Sequence, residues 1–251
     1  MTSGLRLQQL LPTAAEVDAA EVYGGSFGPA RPDRPHVTVN MVASVDGGTA
    51  VEGRTGVLSS PADKALFLYL RTLADVVLVG AQTVRAEGYG TVKASDEVRA
   101  DRVARGQTPA AALAVVTRSL DLDWSSRLFT EASQRPFVIA PADAPADRLE
   151  QAQQVATVIR AGVGSVDLAL ALGMLRQEHD VSSVLCEGGP TLNTQVADGL
   201  LDQLCLTVSP ALVGGASKTI LANVALAAPL GLTLASALVA GSELFLRYRI
   251  D

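Results

Sequence analysis

Aromatic side chains are scarce in this 251-residue chain, at 4% of its residues against 48% hydrophobic in all. Any core it builds is therefore mainly aliphatic, with enough apolar material for one large α/β domain or two small ones. Cysteine is just as sparse. Cys186 and Cys205 sit in apolar, strand-like runs without the spacing of a metal knuckle, which reads as two buried thiols rather than a disulfide or a zinc site. Lys/Arg-rich runs are missing and the formal charge is −6, which argues against a nucleic-acid partner and for a small molecule. No apolar stretch approaches a membrane span, and the N-terminus lacks the basic and hydrophobic segments of a secretory leader, so the expected home is the cytoplasm. Repeats and low-complexity linkers are absent too. That favours a polar, Gly/Pro-rich lead-in over residues 1–35, including Gly24-Gly25-Ser26-Phe27, and a single domain over 36–251.

What is present is alternation. His36 to Val45 is β-rich, Asp46-Gly47-Gly48 is a turn, and Ser60-Pro61-Ala62-Asp63 opens a helix to about Ala74, with Ser60 as N-cap and Asp63 its acid three residues on. Strands are predicted over 75–80, 111–117, 136–140 and 155–160. A helix over 165–179 precedes a strand over 182–187, and a helix from Pro190 precedes a strand over 203–211. The segment 87–108 is charged and weakly periodic, with room for one short helix. Strands over 232–239 and 243–250 close the chain as an antiparallel pair. The fold class read from this is α/β, a mostly parallel central sheet flanked by helices with an antiparallel C-terminal edge.

Three strand exits gather the candidate binding residues, because ligands of open α/β sheets lie beyond the carboxyl ends of the strands. At the most informative of them, Glu187-Gly188-Gly189-Pro190-Thr191-Leu192, two glycines allow close backbone approach and Pro starts a helix whose N-terminus favours phosphate oxygens. It reads either as a pyrophosphate cradle or as a ligand-free strand-to-helix turn. At the second, Gly80 clears the strand end and Thr83 offers a hydroxyl. At the third, Arg118 lies between Thr117 and Ser119, a grouping suited to a phosphate monoester such as the extra one on NADPH. Each has a structural alternative: a packing glycine, a solvated cation, a helix-start hydroxyl. The spacing is not Gly-x-Gly-x-x-Gly. Asn40, Ser44 and Asp46 share one face of the first strand, Asp46 reading most simply as a turn carboxylate. Asp63 and Arg71 are a first-turn acid and a cation two turns on. No Ser-His-Asp or Cys-His arrangement occurs, and His36 and His179 read as structural.

With those residues in view the chain resembles the reductase domain of riboflavin biosynthesis, which has the dihydrofolate-reductase-like fold. The matching pieces are Ser44-Val45-Asp46-Gly47-Gly48, Leu70-Arg71 with 74–80, Thr83-Val84, 187–192 and Ser209-Pro210-Ala211-Leu212-Val213-Gly214-Gly215. The resemblance implies NADPH, a cytoplasmic homodimer, and reduction of 5-amino-6-(5-phosphoribosylamino)uracil to its ribitylamino form. It assigns to the cofactor Ala43 and its strand neighbours, Thr83, Thr117 to Ser119 and the stretch from Gly189 through Gln195, and the strand-exit residues Gly80, Val84 and Gly188 stand beside these as cofactor candidates. To the substrate it assigns Thr55, Arg71 and Glu187, with Asn40 where many members have Lys. Glu87 stands near both ligands. Catalytic candidates for the proton transfer are Glu187, Asp63 and Glu87, Asp63 by its first-turn position and its likeness to the helix carboxylate of dihydrofolate reductases.

Two departures matter. After Glu87 the chain reads Gly88-Tyr89-Gly90-Thr91-Val92-Lys93, without the Arg by which family members help hold the substrate phosphate; Lys93 is the available point charge. No zinc-deaminase signature occurs, so a stand-alone reductase is expected. A dihydrofolate or pterin reductase is the second reading, and a non-catalytic NADPH-binding protein the third.

Overall fold

The computed structural model describes residues 4–24, 27–215, 218–221, 226 and 228–250. Gly25 and Ser26 of the expected lead-in lie outside them, as do residues 1–3, 216–217, 222–225, 227 and 251. The first third of the chain forms β1 (Arg6–Leu11), β2 (Ala15–Asp18), α1 (Ala19–Tyr23), β3 (His36–Ser44), α2 (Pro61–Leu73) and β4 (Val76–Gly80). Next come α3 (Ala81–Glu87), α4 (Asp96–Ala104), β5 (Ala112–Val116), α5 (Arg127–Thr130), β6 (Phe137–Ala140), α6 (Ala146–Val155) and β7 (Thr157–Arg160). The last third carries α7 (Leu168–His179), β8 (Ser183–Cys186), α8 (Pro190–Ala197), β9 (Gln203–Ser209), β10 (Thr233–Ala240) and β11 (Glu243–Arg249). The expected strands and helices are all there, most ending within a residue or two of the predicted bounds. Residue contacts gather into two compact units: 1–27, 37–73 and 186–251 form the first, 28–36 and 74–185 the second.

In the first unit the strand order is β2-β1-β10-β11-β9-β3. β3 and β9 run parallel, with Asn40 opposite Cys205 and Ala43 opposite Val208. The other neighbours are antiparallel. The expected lead-in is thus partly sheet, a correction with a simple cause. β10 offers an open edge of unpaired backbone groups, and β1 covers it with Gln8 opposite Val239. The C-terminal hairpin is therefore flanked by the N-terminal one and is not itself the outer edge. Asp18 ends β2 and caps α1, its carboxylate accepting from Ala20 while Glu21 accepts from the Asp18 N–H, a capping box that pattern-reading of this stretch missed.

The second unit orders its strands β8-β4-β5-β6-β7, and β4 through β7 pair in parallel. Its core is an aliphatic cluster of Val77, Val79, Leu113, Val115 and Val138 closed by Leu128, Phe129 and Leu149. α4 is the short helix anticipated in 87–108, capped by the Ser95 hydroxyl accepting from Val98. Tyr89 and Val92 pack this segment onto the core. Asp75 is the unit's polar pin: one carboxylate oxygen accepts from the N–H groups of Ser182 and Ser183 and the Ser183 hydroxyl, the other from Gln107. Arg102, 1% exposed, donates to the carbonyls of Ala74 and Thr108, and burial lowers its pKa to about 10 although Asp75 opposes that shift.

Candidate functional site

In the first unit α2 starts at Ser60, whose hydroxyl accepts from the N–H groups of Ala62 and Asp63. The same hydroxyl donates to Glu243, a buried carboxylate at the start of β11. Asp63 is buried as well, but its carboxylate receives the hydroxyl of Ser59, so the expected reciprocal half of a capping box with Ser60 is replaced by this neighbour. From Asp63 the helix rises about 12 Å over eight residues to Arg71. Asp63 therefore does not share Arg71's end of α2.

Arg71 meets Glu187 in a two-point ion pair, Nε to Oε1 and Nη2 to Oε2, each 2.6 Å. The arginine side chain is 14% exposed and the glutamate side chain 1%. The ring of Phe67, one turn back on α2, lies 4.2 Å from the guanidinium carbon and supports it from a second side. Two of the residues assigned to the substrate are thus each other's partners. Because Glu187 is nearly covered and Arg71 less so, the pair's exposed chemistry is cationic.

The chain then turns sharply. Gly188 has φ +92°, and a Cβ there would stand 2.9 Å from the Met41 sulfur. Gly189, φ +104°, is the N-cap of α8 without any side-chain cap, and Pro190 takes the first helical position. Asn193 fixes the helix by donating to the Ile220 carbonyl and the Met41 sulfur, a positioning role the motif reading overlooked. The exposed Thr191 and the buried Leu192 begin α8, where backbone N–H groups have no intrahelical acceptor. A turn that excludes a Cβ and an uncapped helix start suit a diphosphate, so these residues fit the cofactor group the sequence implied. Gly188→Ala is expected to cost about 1–3 kcal/mol through its backbone conformation. Melting of the purified variant reads that cost.

Ala43 is buried in β3, while Asn40 on β3 and Thr55 beyond the Val51–Arg54 bridge are half-buried. Asp46 proves to be the turn carboxylate expected: it accepts from the Ser44 hydroxyl at 2.5 Å and from the N–H groups of Val213 and Gly214. The Ser44 bond first, then Gly214 and Val213, hold its pKa at about 2 instead of 3.8. A carboxylate with a depressed folded pKa contributes stability above its ordinary value, and that contribution is lost as pH falls through about 2. The 213–214 tether should accordingly survive at pH 4, and Asp46→Asn should release it at neutral pH, read by amide exchange at those two residues. A signal unchanged by the substitution would exclude the tether.

In the second unit Gly80 is the N-cap of α3, with no side-chain cap. Thr83 is half-buried, Val84 packs on the core, and Glu87 ends α3 half-buried before the left-handed Gly88. Thr117 is 3% exposed and its hydroxyl accepts from Leu120, while the Ser119 hydroxyl accepts from Asp121. Both hydroxyls flanking Arg118 therefore serve the turn. Lys93 is exposed and helps lower the pKa of Glu131, after the larger effects of Arg127. Cys186 and Cys205 are free thiols raised to about 12 by burial, as expected of inert cysteines. Among the described residues no helix is long and apolar enough to cross a membrane.

A family model described as the RibD C-terminal domain matches residues 35–246. The chain is 29% identical over 146 residues to the 2,5-diamino-6-ribosylamino-4(3H)-pyrimidinone 5′-phosphate reductase of Archaeoglobus fulgidus; the match takes in 58% of this chain and 66% of that protein. The solved pyrimidine reductase-like protein of Corynebacterium diphtheriae superposes with a TM-score of 0.79 at 26% identity, covering 92% of this chain and 98% of that one. The fold is also that of the riboflavin biosynthesis reductase Rib7 of Saccharomyces cerevisiae, with a TM-score of 0.65, 17% identity, and coverage of 88% and 92%.

Proposed function

We propose that this chain, which belongs to the RibD C-terminal domain family, is an NADPH-dependent reductase of a phosphorylated ribosylamino-pyrimidine in riboflavin synthesis. One observation carries the reading. Arg71 and Glu187, 116 positions apart, meet in a two-point bond in one unit, and Glu187 leads directly into the glycine turn and uncapped start of α8.

A bound nicotinamide would supply the hydride that opens the ribosylamine at C1′. The protein's part is to bind and orient. Glu187 and Phe67 fix the Arg71 guanidinium before substrate arrives, so little ordering is left for the encounter. Glu187 is then a positioning residue, since its side chain is almost wholly covered. Gly188 and Gly189 let the α8 backbone approach a diphosphate. Thr55 and Asn40 belong to the substrate side in this reading, and Ala43, Gly80 and Thr83 to the cofactor side.

The test is the loss of NADPH absorbance with the purified chain, offered the ribosylamino-pyrimidine phosphate, 5-amino-6-(5-phosphoribosylamino)uracil and dihydrofolate in parallel. Turnover is expected with one or both aminopyrimidines. Turnover of dihydrofolate alone would make this a pterin reductase, and NADPH binding without turnover would make it a non-catalytic binder. The named relatives favour the aminopyrimidine.

A cytoplasmic homodimer belongs to the same reading. In the first unit one sheet face carries cross-strand rows that are almost entirely apolar. Leu11, Ala237, Leu246 and Leu206 form one, and Leu234, Tyr248 and Leu204 the next. Leu234 remains 40% exposed and Leu244, on the same face, 37%. An apolar sheet face of this kind is matched by its own copy across a two-fold axis. Leu244→Glu with Leu246→Glu should convert the protein to monomers in light scattering, whereas an unchanged mass would remove this face from the interface.

A further inference from the structure

A polar row crosses four strands of the first unit. Ser236 on β10 stands opposite Arg247 on β11, Arg247 opposite Cys205 on β9, and Cys205 opposite Asn40 on β3. α1 covers the row at Arg247, which donates from Nη1 to the Val22 carbonyl at 2.7 Å; its guanidinium carbon is 5.6 Å from the centre of the Tyr23 ring. Ser236 is 1% exposed and Tyr23 2%.

Hydrogen bonding in this cluster is one-sided. The Tyr23 hydroxyl, the Ser236 hydroxyl and the Nε–H of Arg247 are buried, and among the described residues none of the three has a partner. Arg247 also makes no ion pair among them. Buried donors are almost always paired, and a charge taken out of water needs an opposite one. The two neighbouring groups that could turn negative stay neutral. Burial pushes the Cys205 thiol up to about 12, and the Tyr23 hydroxyl is held well above its ordinary value by burial first and Cys205 second, with Arg247 opposing. A guanidinium is not deprotonated in proteins. One unmatched positive charge and three donors therefore meet where α1 packs on β10 and β11. Tyr23 precedes and Arg247 follows the stretch 35–246, so two of the three donors stand outside the part of the chain that the family shares.

We infer that Tyr23, Ser236 and Arg247 form a binding site for one small monovalent anion of the halide class, which ties α1 to the β10–β11 pair. Chloride supplies the single negative charge that Arg247 lacks and accepts from all three donors at once. A divalent oxyanion would leave surplus negative charge in a covered site, and a water molecule would leave the guanidinium charge unmatched.

The test is thermal melting of the full chain as gluconate is exchanged for chloride at constant ionic strength. Above the dissociation constant, each tenfold rise in chloride should raise the midpoint by about 3–6 °C. Tyr23→Phe and Ser236→Ala each remove one donor and keep the packing, so each should weaken chloride about tenfold and move the response to correspondingly higher concentration. In crystals soaked in bromide, an anomalous peak is expected within hydrogen-bond reach of Arg247 Nε and the two hydroxyls. Bromide found only on the protein surface, a midpoint that follows ionic strength whichever anion carries it, or a chloride response untouched by both substitutions would each overturn the inference. It stands whether or not the chain turns over NADPH.

Discussion

Arg71→Ala should cost about 3–5 kcal/mol of stability, the penalty for stripping the partner from a buried charge. The Glu187 carboxylate, on a side chain only 1% exposed, would lose both guanidinium donors at once. Glu187→Ala should cost less. Arg71 is 14% exposed and stacked on Phe67, so its charge can turn towards water while its stem stays packed. The two changes are then strongly non-additive. Arg71→Met combined with Glu187→Leu removes both charges and refills the volume, and should be more stable than Arg71→Ala alone. Reductase activity should be lost in all three. Denaturant midpoints at constant slope give the ordering, and an Arg71→Ala protein as stable as the wild type would show the pair to be solvated.

Asp75→Ala should be the most damaging substitution in the second unit, at about 3 kcal/mol. Its carboxylate serves two backbone N–H groups, one hydroxyl and one amide, and each buried donor left without an acceptor costs about 1–3 kcal/mol, less where water can reach it. The change also takes a negative charge from the neighbourhood of Arg102, which is already desolvated. Asp75→Asn is an informative companion. An amide keeps the shape but can turn its NH2 group towards the Ser182 and Ser183 donors, so rescue should be incomplete. Thermal melts compare the two, and an Asn variant equal to wild type would show that shape, not charge or acceptor number, is what Asp75 supplies.

Much of this was legible before any coordinates. The alternation of apolar runs with helical patterns placed β3 to β9 and the helices α2, α7 and α8 because burial on a sheet face imposes its period locally, while α3, α5 and α6 were readable only as helix or loop; Ser60, Gly188, Gly189 and Pro190 announce their turns by conformational preference alone. Asp46 was readable as a turn carboxylate for the same reason. β1 and β2 were not readable as sheet. Their short run has no strong pattern of its own and is ordered by the open edge of β10, a partner more than two hundred residues away.

The sequence by itself determined the class of fold, the family resemblance, and which segments end at ligand-bearing turns, since these depend on residue type and near neighbours. Only the tertiary structure decided who partners whom. Ser60 with Glu243, Arg71 with Glu187, and Arg85 and Arg148 with the 117–121 loop are contacts between segments that no local pattern links. The physical reason is that a charge or hydroxyl can be satisfied by any complementary group within reach. Reach is set by how the strands and helices pack, so Arg71 could be named from the chain but its engagement with Glu187 could not.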